Sequence, residues 1–181
     1  MNEIISNTVF IERNGGTSAL FMNADSGKII YRNKIDTIIG IKHPGIILGI
    51  DYWRTVWVIH NHYQIGYPQI VTLDEFAQGY SIFYDSRPVF YHPSEVIARA
   101  ISHWMEKKEY SWLYNNCQHF VNRVAQNEHY SESVDKIANV ALATGGILVF
   151  VGLLSGNKGL MKTGLGIAGS GVTGKALNRI K

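Results

Sequence analysis

Apolar and polar positions alternate weakly from Asn2 to Ser26, and the runs 8–11 and 18–21 flank Asn14-Gly15-Gly16, which predicts a β-hairpin. Short β-branched runs follow at 28–31, 38–41, 45–50 and 55–59, separated by Gly, Asp and Pro, and these predict an antiparallel meander. Residues 73–77 have the pattern of one helical turn, and 81–84 and 89–91 that of further strands. From Ser94 the period lengthens to that of a helix: Val96, Ile97, Ala100, Ile101, Trp104 and Met105 form one stripe after the start signals Pro93 and Ser94. This helix is predicted to end near Lys108. A second is predicted to begin at Cys117, with Asn116 as N-cap and Phe120, Val121 and Val124 at helical spacing.

The pattern changes again near the C-terminus. Residues 137–156 carry no charged side chain and reach the length of a transmembrane helix, while Asn139, Thr144, Ser155 and four glycines lower their insertion tendency. A second Gly-rich stretch, 160–174, is interrupted by Lys162 and is too short and polar to span alone. Together they predict a re-entrant or interfacial hairpin turning at Asn157, with glycines at the helix contact. Two phosphate-loop lookalikes in this tail, starting at Gly164 and Gly169, lack the following acidic residue and the magnesium-binding Ser or Thr, respectively. The predicted fold class is α+β: an antiparallel sheet packed against helices, with a hydrophobic Gly-rich C-terminal tail. Three parts are expected: an extension over 1–26, a catalytic domain over 27–135 and a membrane-associating tail over 136–181.

Composition refines this picture in three ways. A hydrophobic fraction of 46% with 17% charged residues is that of a globular chain able to build a core. The formal charge of +3 is too small to imply nucleic acid, and no such partner is expected; its distribution is lopsided, since no Asp or Glu follows Asp135. Lys136, Lys158, Lys162, Lys175, Arg179 and Lys181 make the tail basic, which suits an anionic membrane surface. The single cysteine, Cys117, rules out an internal disulfide. Residues 1–16 lack a basic start and apolar run, so no secretory signal is expected and cytosolic synthesis is the default.

A thiol attacks as its thiolate, so a reactive cysteine needs a lowered pKa and a base within hydrogen-bond reach. A place in the first turn of a helix favours the anion by about 0.3–1 kcal/mol, under one pKa unit, so a neighbouring imidazolium has to supply more. The segment Tyr114-Asn115-Asn116-Cys117-Gln118-His119-Phe120-Val121 matches the Asn-Cys-x-His-Phe motif around the nucleophile of the lecithin:retinol acyltransferase family. Upstream, 27–31 resembles that family's first core strand, His43-Pro44-Gly45-Ile46-Ile47-Leu48-Gly49 its catalytic-histidine strand, and Val58-Ile59-His60 the strand carrying the third polar residue. Residues 72–79 resemble its linking turn, so the resemblance covers about 27–124.

The resemblance implies a circularly permuted papain-like domain with Cys117 as nucleophile, His43 as general base and later acid, and His60 orienting His43. His62 lies on the same strand face as His60 and is the alternative orienting residue. His119 is expected to be structural, and His92, His103 and His129 to have surface or packing roles. No cofactor is expected; the spacing of His60, His62, Cys117 and His119 is not that of common zinc sites. The implied activity is acyl transfer or hydrolysis through a thioester, on a phospholipid or other lipid ester, at the cytoplasmic face of a membrane. Amide hydrolysis of the papain-like type and a non-catalytic, membrane-active module are the alternatives.

Overall fold

The computed structural model describes residues 4–5, 8–13, 16–33, 42–111 and 115–179, so the expected run 38–41 lies outside it. The chain divides into two compact units, the first ending at Glu128 and the second starting at His129. Strands β1 (Ile4–Ile5), β2 (Thr8–Arg13), β3 (Gly16–Phe21), β4 (Ile29–Asn33), β5 (Lys42–Ile50), β6 (Val56–His62), β7 (Tyr67–Thr72) and β8 (Ile82–Tyr84) form one sheet in the first unit. Every pairing among them is antiparallel. The helices of this unit are α1 (Leu73–Ala77), α2 (Pro93–Met105) and α3 (Cys117–Val121), the last continued by a π-helical turn at Asn122–Gln126. The α+β class with an antiparallel sheet is therefore observed.

β5 is the hub. One edge of it pairs with β4 and then, at Ile50, with β3, while the other pairs with β6. The β5–β6 register shifts between Ile47 and Gly49, and glycine at 49 lets β3 approach, because a Cβ there would lie 2.5 Å from the Phe21 carbonyl oxygen. Adjacent residues of the central strands are buried on opposite faces. Ile29, Ile46, Leu48 and Ile59 pack with Val96, Ile97 and Ala100 of α2 and with Phe120 and Val121 of α3. Ile30, Ile47 and Val58 pack with Phe76 of α1. Burial on both faces explains why these strands read as near-continuous apolar runs.

Val9, Ile11 and Leu20, within the segment 1–26, are almost fully buried in the same core as α2 and α3. Two details depart from the sequence pattern. Residues 89–91 form no strand; the Phe90 N–H donates to the Ala125 carbonyl at 2.9 Å, and Pro88 and Pro93 confine the segment. β7 had no counterpart in the sequence pattern, because Pro68 demotes a strand signal; β7 pairs only with β6, and such an outer strand tolerates proline.

The second unit contains α4 (Glu132–Ser155) and α5 (Lys158–Leu177), which pair as an antiparallel hairpin. Gly156 closes α4 in a left-handed conformation, and the Asn157 side chain caps α5, so the turn falls where the sequence places it. Small or short polar residues recur every seventh position on both arms: Ser131, Ala138, Gly145 and Gly152 on one, Asn157, Gly164, Gly171 and Asn178 on the other. They meet pairwise. A Cβ on Gly164 would lie 2.6 Å from the Gly145 carbonyl oxygen, and one on Gly171 2.7 Å from that of Ala138. At the open end, the Ser131 N–H donates to Asn178 Oδ1 at 2.8 Å and Asn178 Nδ2 donates to the Ser131 carbonyl at 2.8 Å. Outside this seam α4 exposes Val140, Ile147, Phe150, Leu153 and Leu154, and it alone among the described helices is long and apolar enough to cross a membrane.

Candidate active site

His43 on β5 and His60 on β6 come together because Ile46 pairs with Ile59, which sets Gly45 opposite His60 and His43 diagonal to it. Their rings are nearly perpendicular, with His43 Nε2 and His60 Nδ1 2.8 Å apart, and both side chains are buried. The Phe76 ring lies 5.6 Å from the His43 ring and 5.4 Å from that of His60. Gly45 permits this approach, since a Cβ there would lie 2.7 Å from Val58 Cγ1 and 2.9 Å from Phe76 Cε2. A capping box between Thr72 and Glu75 starts α1 and so aims Phe76 at the sheet.

Burial, reinforced by the nearby His62 and Arg32, pushes the His60 pKa from 6.5 down to about 3. His60 is therefore neutral at physiological pH and carries one ring proton. When His43 is the imidazolium, its Nε2–H donates to His60 Nδ1, and the His60 proton sits on Nε2. The depressed pKa has a consequence for stability. Between about pH 6.5 and about 3 the unfolded chain binds a proton that folded His60 does not, so stability falls as pH drops through this window. The contribution is at most about 1.4 kcal/mol per pH unit. Denaturant unfolding at neutral and mildly acidic pH is expected to show a smaller acid loss for His60→Asn than for the parent protein; an unchanged pH slope would contradict it.

His62 stands further out, 5.3 Å ring to ring from His60 and 6.4 Å from His43, and stacks on Tyr63. Of the two candidates on this strand face, His60 makes the contact with His43. Cys117 is the first residue of α3, which packs against β5 and β6, the strands carrying both histidines. Asn116 caps as expected: its Oδ1 accepts from the N–H groups of Gln118 at 2.9 Å and His119 at 3.1 Å. Those two amides are committed to the cap. An oxyanion formed at Cys117 therefore looks to the Cys117 amide or to neighbouring side chains.

His119 is fully buried, His92 caps α2 by accepting from the Ser94 N–H, His103 packs on Phe120 with its pKa lowered to about 4 by burial, and His129 belongs to the second unit. Three residues of the site had no part in the sequence pattern. Asn61, fully buried between His60 and His62 in sequence, donates from Nδ2 to the Asn115 carbonyl at 2.8 Å and so ties the segment before Cys117 to β6. Tyr110 lies within electrostatic reach of Cys117, and its phenol is pushed up, first by burial and then by that thiol. Arg32 is the register partner of His43 across β4 and β5, is 7% exposed, and also lies within electrostatic reach of Cys117. A buried asparagine inside an apolar strand was the one signal available in the sequence.

Comparison with known proteins leaves the residues to speak for themselves: no protein-family model matches this chain, and no curated protein does.

Proposed function

We propose that this protein is a cysteine-dependent acyltransferase or hydrolase acting on a lipid ester through a thioester on Cys117, with a permuted papain-like domain similar to the lecithin:retinol acyltransferase family. The observation that carries the proposal is the 2.8 Å contact between His43 and His60 on the strands against which the Cys117 helix packs. It is the orienting contact of a triad. Because Nε2 of His43 is engaged with His60, Nδ1 is the atom that takes the thiol proton. The thiolate attacks the ester carbonyl, the tetrahedral adduct collapses, and His43 returns the proton to the departing alkoxide. Water or an acceptor hydroxyl or amine then gives its proton to His43 and attacks the thioester, which frees the thiolate.

The second unit suits a lipid substrate. Its arms of 24 and 20 residues correspond to about 36 and 30 Å, comparable to the hydrocarbon core of a bilayer. The large exposed side chains of α4, among them Val140, Ile147, Phe150, Leu153 and Leu154, are apolar, and both ends of the hairpin carry charge. In the proposed arrangement the hairpin inserts from one side and keeps its ends, with Asp135, Lys136 and Arg179, at the cytoplasmic surface. Flotation with anionic liposomes is expected for the full chain and is expected to fall several-fold in a Phe150→Lys, Leu154→Lys double variant; equal flotation would remove the hairpin as the anchor. For the chemistry, mass spectrometry after incubation with mixed phospholipids is expected to find a hydroxylamine-sensitive acyl adduct on Cys117. Adduct-free protein with unaltered lipids would overturn the proposal.

A further inference from the structure

We propose that Arg32 is a positioning residue whose guanidinium, buried opposite His43, is the counter-cation of the Cys117 thiolate. The inference rests on Cys117 being the nucleophile. In the β4–β5 register Arg32 stands opposite His43, so both side chains leave the sheet on the same face. Its Cζ lies 5.7 Å from the Phe76 ring that also flanks His43 and His60. Nη1 donates to the Gln78 side-chain oxygen, while Nε is buried with no acceptor. No carboxylate pairs with Arg32 among the described residues.

A guanidinium stripped of water is retained when an anion compensates it. The side chains that act on its charge are Tyr80 and Cys117, and a thiol ordinarily gives up its proton well before a phenol does. The thiolate is thus the first anion to form there. The titratable groups gathered at His43 come from two elements, Arg32 on β4 and His60 and His62 on β6, while Tyr110, before α3, acts on the thiol. Of these only Arg32 is a permanent cation. Its charge also helps keep His60 neutral. The guanidinium therefore stabilises the thiolate once His43 has taken its proton, in addition to what the imidazolium supplies.

Because Cys117 is the only cysteine, its titration can be followed directly by thiolate ultraviolet absorbance and by the pH dependence of iodoacetamide alkylation. The full-length protein is expected to titrate below the ordinary thiol value of about 8.5. Arg32→Gln is expected to raise the midpoint by about one unit, slowing alkylation about tenfold under mildly acidic conditions, while Arg32→Lys stays within about threefold of the parent. Gln78→Glu provides a variant at an exposed position that leaves the core intact. A carboxylate placed on the guanidinium is expected to raise the midpoint in the same direction. If the parent midpoint is low and both Arg32→Gln and Gln78→Glu leave it unchanged, the role of Arg32 is overturned. Should Arg32→Gln fail to fold, the outcome for Gln78→Glu decides alone. An ordinary midpoint in the parent protein would overturn the nucleophile assignment itself.

Discussion

Cys117→Ser and His43→Ala each abolish the acyl adduct and lower any transfer or hydrolysis by on the order of 10³-fold or more, while circular dichroism stays that of the parent protein. Serine keeps the shape of the side chain at the start of α3 and leaves the Asn116 cap untouched, so the helix has no reason to move. Its hydroxyl titrates far above a thiol, so no standing anion forms at this position to attack the ester. His43→Ala removes the acceptor of the thiol proton. It also leaves His60 Nδ1 without its 2.8 Å partner, a cost of about 1–3 kcal/mol that lowers stability without dismantling a sheet buried on both faces. Wild-type turnover in either variant would show that the thiol and the imidazole are not the reacting pair.

The other large effect is expected in the hairpin, where alanine substitutions of two glycines on the same helix should have opposite signs. In water alanine exceeds glycine in helix propensity by about 1 kcal/mol. At Gly166 an added Cβ meets nothing within 4 Å, so Gly166→Ala should stabilise α5 by about that amount. At Gly164 the same atom would lie 2.6 Å from the Gly145 carbonyl oxygen and 2.7 Å from the Val149 nitrogen, both backbone atoms that cannot rotate away. The arms have to separate, and overpacking costs of about 1–3 kcal/mol exceed the gain in propensity. Amide hydrogen exchange along α4 and α5 reads this directly. Faster exchange in Gly164→Ala and slower exchange in Gly166→Ala is the expected pair; shifts of the same sign would show that the seam is not the packing surface.

Sequence patterning carried the strands whose polar punctuation was clean and lost those where a proline blurred it. The hairpin of β2 and β3 was legible because alternation and an Asn-Gly turn agree, although 14–15 themselves lie outside the described residues. β7 was hidden by Pro68, and 89–91 imitated a strand because aromatic and β-branched residues pack equally well in an irregular segment pinned by prolines. Cys117, His43 and His60 were singled out through the resemblance, and the structure brings His43 and His60 together. The choice between His60 and His62 was not legible, since residues two apart on a strand share a face and only the distance to His43 separates them. Arg32 was beyond reach for a related reason: its position opposite His43 depends on strand register, which is a property of the pairing and not of either segment. The small-residue seam, by contrast, is written in plain sevens from Ser131 to Gly152 and from Asn157 to Asn178.

That seam also restricts how such a tail can change length over evolution. Each contact pairs a position on one arm with its mirror on the other, from Ser131 and Asn178 at the open end to Gly152 and Asn157 at the turn. A single inserted residue would rotate every later small side chain by roughly 100° out of the contact and drive a bulky neighbour into it. Only an insertion of seven residues in both arms together restores the meshing. Hairpins built on this plan would therefore lengthen in steps of about 10.5 Å, so a lineage adapting to a thicker or thinner bilayer would have to tilt its helices before it could resize them.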